Sequence, residues 1–389
     1  MEKAPSKAVP PPLDPVGQAP GAGAVGSSAE KDPRIGTLVA DRYRILDTLG
    51  EGGMAMVYLA EDVERDRPCA VKVLDPSVVD DESIVERFLQ EALAASAIDH
   101  ENVIEVLDCG RSADDHVYMV MEMLQGEDLA DMLAREGRVP WSRARPMLLQ
   151  ICAALRVVHA KGIIHRDMKP ENCFRIYRDG SEDFIKVLDF GIAKITGEQV
   201  EGPRALTQTG MIFGTPEYMS PEQAAGRTAD HRTDIYSLGV ILFHLLTGDV
   251  PFREASPTVT LVRHMVEEVP VPSIFAADAG ITGALDDVIL RCLHKDPAHR
   301  YQSMGELAVA LERIDEHGVL LTPPPWEQSA AEIPWERESE EFRDYRPYGV
   351  DEDFGDVEDM LPSRAPGMVV LVLVLAAFAG VVAYILLGS

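Results

Sequence analysis

Between Ile163 and Lys194 the chain reads Ile-Ile-His-Arg-Asp-Met-Lys-Pro-Glu-Asn-Cys-Phe, then a short interlude, then Lys-Val-Leu-Asp-Phe-Gly-Ile-Ala-Lys. Three polar side chains here stand beside apolar residues that read as buried strand or turn. Ile163 and Ile164 precede Asp167, and Val187 and Leu188 precede Asp189. Asp179-Gly180 between the two motifs is a hairpin signal, so two short strands are expected to bring Asp167, Asn172 and Asp189 together. Their chemistry suits phosphoryl transfer. Asp167 can accept a hydroxyl proton, while Asn172 and Asp189 can offer oxygen to Mg²⁺ (or Mn²⁺), hard cations that prefer such ligands. A lone His-Arg-Asp is more often a capped turn. The two motifs in this order and spacing favour the chemical reading.

Upstream, a β-like run from Tyr43 to Leu49 leads into Gly50-Glu-Gly-Gly-Met-Ala-Met-Val-Tyr58. Gly50 and Gly52 let backbone approach a phosphate with no Cβ in the way, although a plain hairpin has the same composition. Lys72 lies inside the next apolar run, Cys-Ala-Val-Lys-Val, where an ammonium is costly unless it finds a partner. Residues 83–97 show helical spacing of Phe88, Leu89, Ala92 and Ala95, with Glu91 among them as a partner for Lys72. Val117–Leu124 reads as a buried strand entering a linker, and Gly126 begins a mostly helical half. A helix is expected over 143–161, stopped at Lys161-Gly162.

These motifs together resemble the eukaryotic-type (Hanks-type) Ser/Thr protein kinases, in the style of their bacterial members, over about residues 38–316. The resemblance implies a bilobal α+β fold, with a β-rich first lobe and a helical second lobe. It implies ATP and Mg²⁺ (or Mn²⁺) as cosubstrate and cofactor, and protein substrates as partners. By this resemblance Lys72, oriented by Glu91, holds the α- and β-phosphates. Val57 and Ala70 face the adenine, Met121 lies behind it, and Glu122 and Met123 supply backbone groups to its edge. Asn172 and Asp189 hold metal, Asp167 orients the nucleophile, and Lys169 stabilises the moving charge. Ala55 replaces the third glycine of the family's loop.

After Asp189-Phe-Gly191 a polar run reaches Leu206-Thr-Gln-Thr-Gly-Met-Ile-Phe-Gly-Thr-Pro-Glu-Tyr-Met-Ser-Pro-Glu222. It resembles an activation segment, with Ser220 in place of the alanine of the family's closing Ala-Pro-Glu. Thr207 and Thr209 are the expected phosphate acceptors, and Arg166 beside Asp167 is the cation they would meet. Thr215 and Lys169 match the Ser/Thr-specific branch. Glu222 is expected to pair with Arg300, and Asp234, opening an apolar helix at Arg232, to cap catalytic-loop amides. Those two pairings are structural or substrate-docking features.

Net charge is −29, which argues against a nucleic-acid partner, since phosphate backbones need clustered Lys and Arg. The five cysteines fit no metal or redox spacing and read as buried free thiols. Residues 1–37, rich in Pro, Ala and Gly, are expected to be a disordered tail. Residues 317–366 read as an acidic, self-repelling linker. Within residues 367–387, Met368 to Leu387 carries no charge over about 20 residues, enough to span a bilayer as a helix. With Arg364 on its N-terminal side, the expectation is a single-pass tail anchor in the cell membrane with a cytoplasmic catalytic domain. Such a protein would activate its neighbours through a transient homodimer. Two alternatives stand at this point: a catalytically inactive scaffold of the same fold, and a small-molecule kinase.

Overall fold

Apolar alternation in the first third of the chain produces a sheet. The computed structural model describes residues 32–189 and 215–321. In it, β1 (Leu38–Val39), β2 (Tyr43–Glu51), β3 (Ala55–Asp62), β4 (Arg67–Leu74), β5 (Val106–Arg111) and β6 (Val117–Glu122) form a six-stranded antiparallel sheet. Its order is β1-β2-β3-β4-β6-β5. The interior strands β4 and β6 are apolar on both faces because one face meets α1 (Glu82–Ser96) and the other closes over Tyr43 and Tyr58. Asp81 starts α1 by accepting the Ser83 amide at 3.0 Å, the ordinary N-cap device. Val85, Phe88, Ala92 and Ala95 form its buried stripe, and Glu91 shares that face.

A second, three-stranded sheet follows: β7 (Gly126–Asp128), β8 (Cys173–Arg178) and β9 (Ser181–Val187). Asp179 and Gly180 turn β8 into β9 with φ of 52° and 86°, the left-handed pair that a tight hairpin needs. Gly126 permits β7 to lie against β8: a Cβ there would come within 1.9 Å of the Arg175 carbonyl oxygen.

The remaining lobe is helical, with α2 (Leu129–Glu136), α3 (Trp141–Ala160), α4 (Pro221–Ala224), α5 (Arg232–Thr247), α6 (Pro257–Val266), α7 (Pro272–Phe275), α8 (Gly283–Cys292) and α9 (Met304–Glu312). Every residue of α5 except Arg232, His244 and Thr247 is buried. A helix apolar all round belongs at the centre of a lobe, and α5 sits in the same core as α3, α8 and α9. All five cysteines are free thiols, Cys109 half-buried and the others buried.

Order extends beyond both expected ends of the domain. Within residues 32–37, assigned from composition to the tail, Tyr58 donates its hydroxyl to Asp32 (2.7 Å) and accepts from Arg34 Nη1 (2.9 Å). A buried tyrosine hydroxyl needs such partners, and that need draws the preceding segment onto the sheet. Residues 317–321, assigned to the linker, turn back so that Leu320 bridges Ile314 and the Leu321 amide donates to the Arg313 carbonyl at 2.7 Å. Thr207, Thr209, residues 322–366 and the apolar run 367–387 lie outside the described residues. Among the described residues no helix is long and apolar enough to cross a membrane.

Candidate active site

The segment from α3 to β8 is too irregular to support itself, and a buried carboxylate holds it. Asp234, fully buried at the start of α5, accepts the His165 amide at 2.9 Å and the Arg166 amide at 2.8 Å, and takes a third bond from His159 Nε2 at 2.7 Å. Burial pushes its carboxyl upward, but the hydrogen-bond donors, His159 foremost, outweigh it and hold the pKa below the usual range. His165 is also fully buried, and burial lowers its pKa, so the ring is neutral. The Leu188 carbonyl, 2.8 Å from Nε2, can only accept, which places the ring proton there. Nδ1 is then bare and accepts the Asp167 amide at 3.3 Å. One neutral ring thus ties Asp167 to the residue before Asp189.

Asn172 lies in a 3₁₀ turn just before β8 and donates Nδ2 to the Asp167 carbonyl at 2.7 Å. Its Oδ1 is the atom left to face a cation. Its own carbonyl takes the Leu188 amide at 2.9 Å, so the hairpin closes beside the site. Lys169 Nζ stands 3.8 Å from Asp167 Oδ2. Arg166 and Asp189 both adopt left-handed backbone, with φ of 63° and 38°. Non-glycine residues hold that region at a cost that clusters at functional sites.

Lys72 reaches across from β4 to Asp189, Nζ to Oδ1 2.9 Å. Burial would lower the lysine's pKa, yet Asp189 and then Glu91 raise it above its ordinary value. Crowding by the surrounding protein pushes the Asp189 carboxyl, itself 43% exposed, upward, and chiefly Lys72 brings it below the carboxylate range. The ammonium, with three donors, therefore serves both carboxylates, with Asp189 in direct contact. Asp189 and Asn172 make a hard oxygen donor set fit for a divalent ion. Among the described residues no group of three or more His, Cys, Asp or Glu gathers to hold a metal.

The wall expected to face a nucleotide is apolar. Val57, Ala70, Met121, Met123 and Leu188 belong to one cluster, and β-pairing sets Val57 opposite Lys72 and Ala70 opposite Met121. Gly52 closes the glycine-rich turn by donating to the Ala55 carbonyl at 2.8 Å. A Cβ on Gly52 would press on that oxygen at 3.2 Å, whereas one on Gly50 would meet open space. The methyl of Ala55, which replaces a glycine of the resemblance, is buried in the same cluster. The Glu122 amide donates to the Glu105 carbonyl at 3.0 Å, so only its carbonyl is left for an adenine edge. A cavity of about 10 Å³ behind Met121 has Glu91 and Asp189 in its wall. A larger one of about 350 Å³ lies between the starts of α3 and α8 and includes none of the candidate residues.

Arg300, fully buried, meets Glu222 through two 2.8 Å bonds, and Thr233 Oγ1 donates to the same carboxylate at 2.7 Å. Burial raises the Glu222 carboxyl, and Arg300 more than reverses this. Thr215 leads into the 3₁₀ turn Pro216–Tyr218 that precedes this pair. Two residues escaped the sequence reading. Lys186, buried on β9, reaches Glu122 Oε1 at 2.6 Å and the Val103 carbonyl at 3.3 Å. Gln223 donates Nε2 to the Arg166 carbonyl at 2.8 Å. The Lys186 contact had a signal, a lysine inside an apolar run as at Lys72; the Gln223 contact had none.

The chain has counterparts among known proteins. The protein kinase domain model matches residues 43–309. The chain belongs to the protein kinase family. The chain is 43% identical to serine/threonine-protein kinase pkn3 of Myxococcus xanthus, over 74% of this chain and 52% of that protein. It is 39% identical to PknB of Mycobacterium leprae, over 71% of this chain and 43% of that protein. The chain thus spans about half the length, or less, of these relatives. The crystal structure of the Mycobacterium tuberculosis PknI kinase domain superposes with a TM-score of 0.55 at 26% identity, covering 71% of this chain and 98% of that one. The kinase family implies ATP and a divalent metal ion.

Proposed function

We propose that this protein is a membrane-anchored serine/threonine protein kinase that transfers the γ-phosphoryl group of ATP to protein hydroxyls. The observation that carries the reading is the convergence of Lys72, Asp167, Lys169, Asn172 and Asp189 on one another, with Lys72 and Asp189 at 2.9 Å. Asp167 faces the acceptor hydroxyl and takes its proton as the oxygen attacks. Lys169, beside it, offsets charge moving onto the transferred group, and Lys72 orients the α- and β-phosphates. Asn172 and Asp189 would hold Mg²⁺ or Mn²⁺, which when bound neutralises phosphate charge. Ser/Thr specificity is supported by Lys169 and Thr215 and by the names of the relatives.

Phosphorylation of Thr207 or Thr209 fits Arg166. Burial lowers this guanidinium's pKa, and its Nε has no hydrogen-bond partner among the described residues. A phosphate dianion would satisfy it. The charge-free run Met368–Leu387 supports the membrane anchor, with the catalytic domain cytoplasmic where ATP is, and confinement would favour activation through a transient homodimer.

The test is phosphoryl transfer from ATP to a peptide library and to a metabolite panel, with Asp167→Asn as control. Ser/Thr peptides are expected to be labelled, with a loss of about 10²- to 10⁴-fold in the variant. Labelling of metabolites alone would make this a small-molecule kinase. No transfer above the variant would make it a scaffold.

A further inference from the structure

We propose that Gln223 is a positioning residue for phosphoryl transfer: its side-chain amide fixes the peptide that carries Asp167. The inference rests on the kinase reading above. The peptide joining Arg166 to Asp167 is gripped at both ends. Its N–H donates to His165 Nδ1 at 3.3 Å, and its carbonyl accepts Gln223 Nε2 at 2.8 Å. One residue earlier, the Arg166 amide is held by Asp234 at 2.8 Å. Arg166 needs such holding, since its φ of 63° lies where non-glycine residues rarely rest. Rotation of this one peptide plane would swing the Asp167 side chain with it.

The Gln223 amide cannot flip to serve another partner. Its Oε1 accepts the Ser220 amide at 3.1 Å and the Ser220 hydroxyl at 3.2 Å, half of a capping box at the start of α4. With the oxygen oriented there, the NH₂ faces the catalytic loop. The mount is rigid as well, because the preceding residue is Glu222, fixed by two bonds to buried Arg300. A short relay therefore runs from Arg300 through Glu222 and Gln223 to the Arg166 carbonyl and Asp167. It makes the geometry of Asp167 depend on the chain that follows Thr215.

A competing role is purely local: Gln223 as the partner of Ser220 in the capping box and nothing more. Two variants separate the roles. Gln223→Glu keeps an acceptor for Ser220 but replaces the amide donor with an oxygen facing a carbonyl. Ser220→Ala removes part of the cap, restores the family's alanine, and leaves the Gln223–Arg166 contact. The full-length protein and both variants would be measured for peptide phosphorylation, Mg-ATP affinity by direct titration, and melting temperature. We expect Gln223→Glu to lose about 10- to 100-fold in kcat, the range for a displaced catalytic group. Its Mg-ATP Kd and melting temperature should stay near wild type, and Ser220→Ala should keep most of its kcat. Gln223→Glu with wild-type kcat, or with a loss no larger than that of Ser220→Ala, would overturn the proposal. A loss of Mg-ATP binding in step with kcat would overturn it too. Inactive wild-type protein would refute the kinase reading, and with it the premise.

Discussion

Two ion pairs of nearly equal length hold this molecule's functional region, and they are built for opposite purposes. Lys72–Asp189 spans 2.9 Å between side chains that are 17% and 43% exposed. Arg300–Glu222 spans 2.8 Å between side chains that are 0% and 9% exposed. The first joins a compact ammonium on a flexible stem to one carboxylate oxygen. The second is a planar fork meeting both oxygens, with further bonds from Arg300 to the carbonyls of His294, Lys295 and Arg232. A point charge at a partly open site can exchange partners, so Lys72 can move to a phosphate and Asp189 to a metal. A buried bidentate pair cannot exchange, and breaking it strands a charge.

The contrast breaks most visibly at Arg300. Arg300→Met should destabilise the fold by about 3–5 kcal/mol, the cost of leaving a buried carboxylate alone, measured by urea unfolding at pH 7. A loss under about 1 kcal/mol would mean the pair is as exchangeable as the other. Acid should attack the same region. Tyr236, whose ring lies 4.9 Å from the Arg300 guanidinium, bonds His264 Nδ1 at 2.8 Å. Burial, aided by Lys295, takes the His264 pKa down to about 3. The unfolded chain, with an ordinary imidazole, therefore binds this proton first, and stability falls as pH drops from about 6.5 toward 3. Unfolding measured across that range should show a flatter slope in His264→Asn. An unchanged slope would remove His264 from the account. Smallest of all, Lys72→Met should shift folding stability by no more than about 1 kcal/mol, because Asp189 keeps access to solvent. A shift as large as that of Arg300→Met would erase the distinction.

What the sequence disclosed follows from how far each contact reaches. Asp179-Gly180 declares its turn by itself, and the apolar run from Ile235 declares α5, because both are decided by neighbouring residues. Asp167, Asn172 and Asp189 were legible because one hairpin delivers them. The family resemblance added Glu222 to Arg300, a pairing across 78 positions that local reading alone would not join. The direct partner of Lys72 was not legible. Both Glu91 and Asp189 can reach a lysine on β4, and only the approach of the two lobes decides which touches it. Gln223 was hidden for a different reason: an amide on a short helix announces nothing, and its meaning comes from a carbonyl 57 positions away. The same holds at residues 32–37, where composition suggests a tail and one tyrosine hydroxyl recruits it.

Lys72 serves the reaction and not the fold. The direct measurement is γ-phosphoryl transfer from Mg-ATP to a Ser/Thr peptide by wild type and by Lys72→Met, each checked by its melting temperature. Wild type is expected to be active, and the variant to melt within a few degrees of it while losing at least about 100-fold in rate. A folded Lys72→Met that transfers phosphate at the wild-type rate would contradict this role for Lys72.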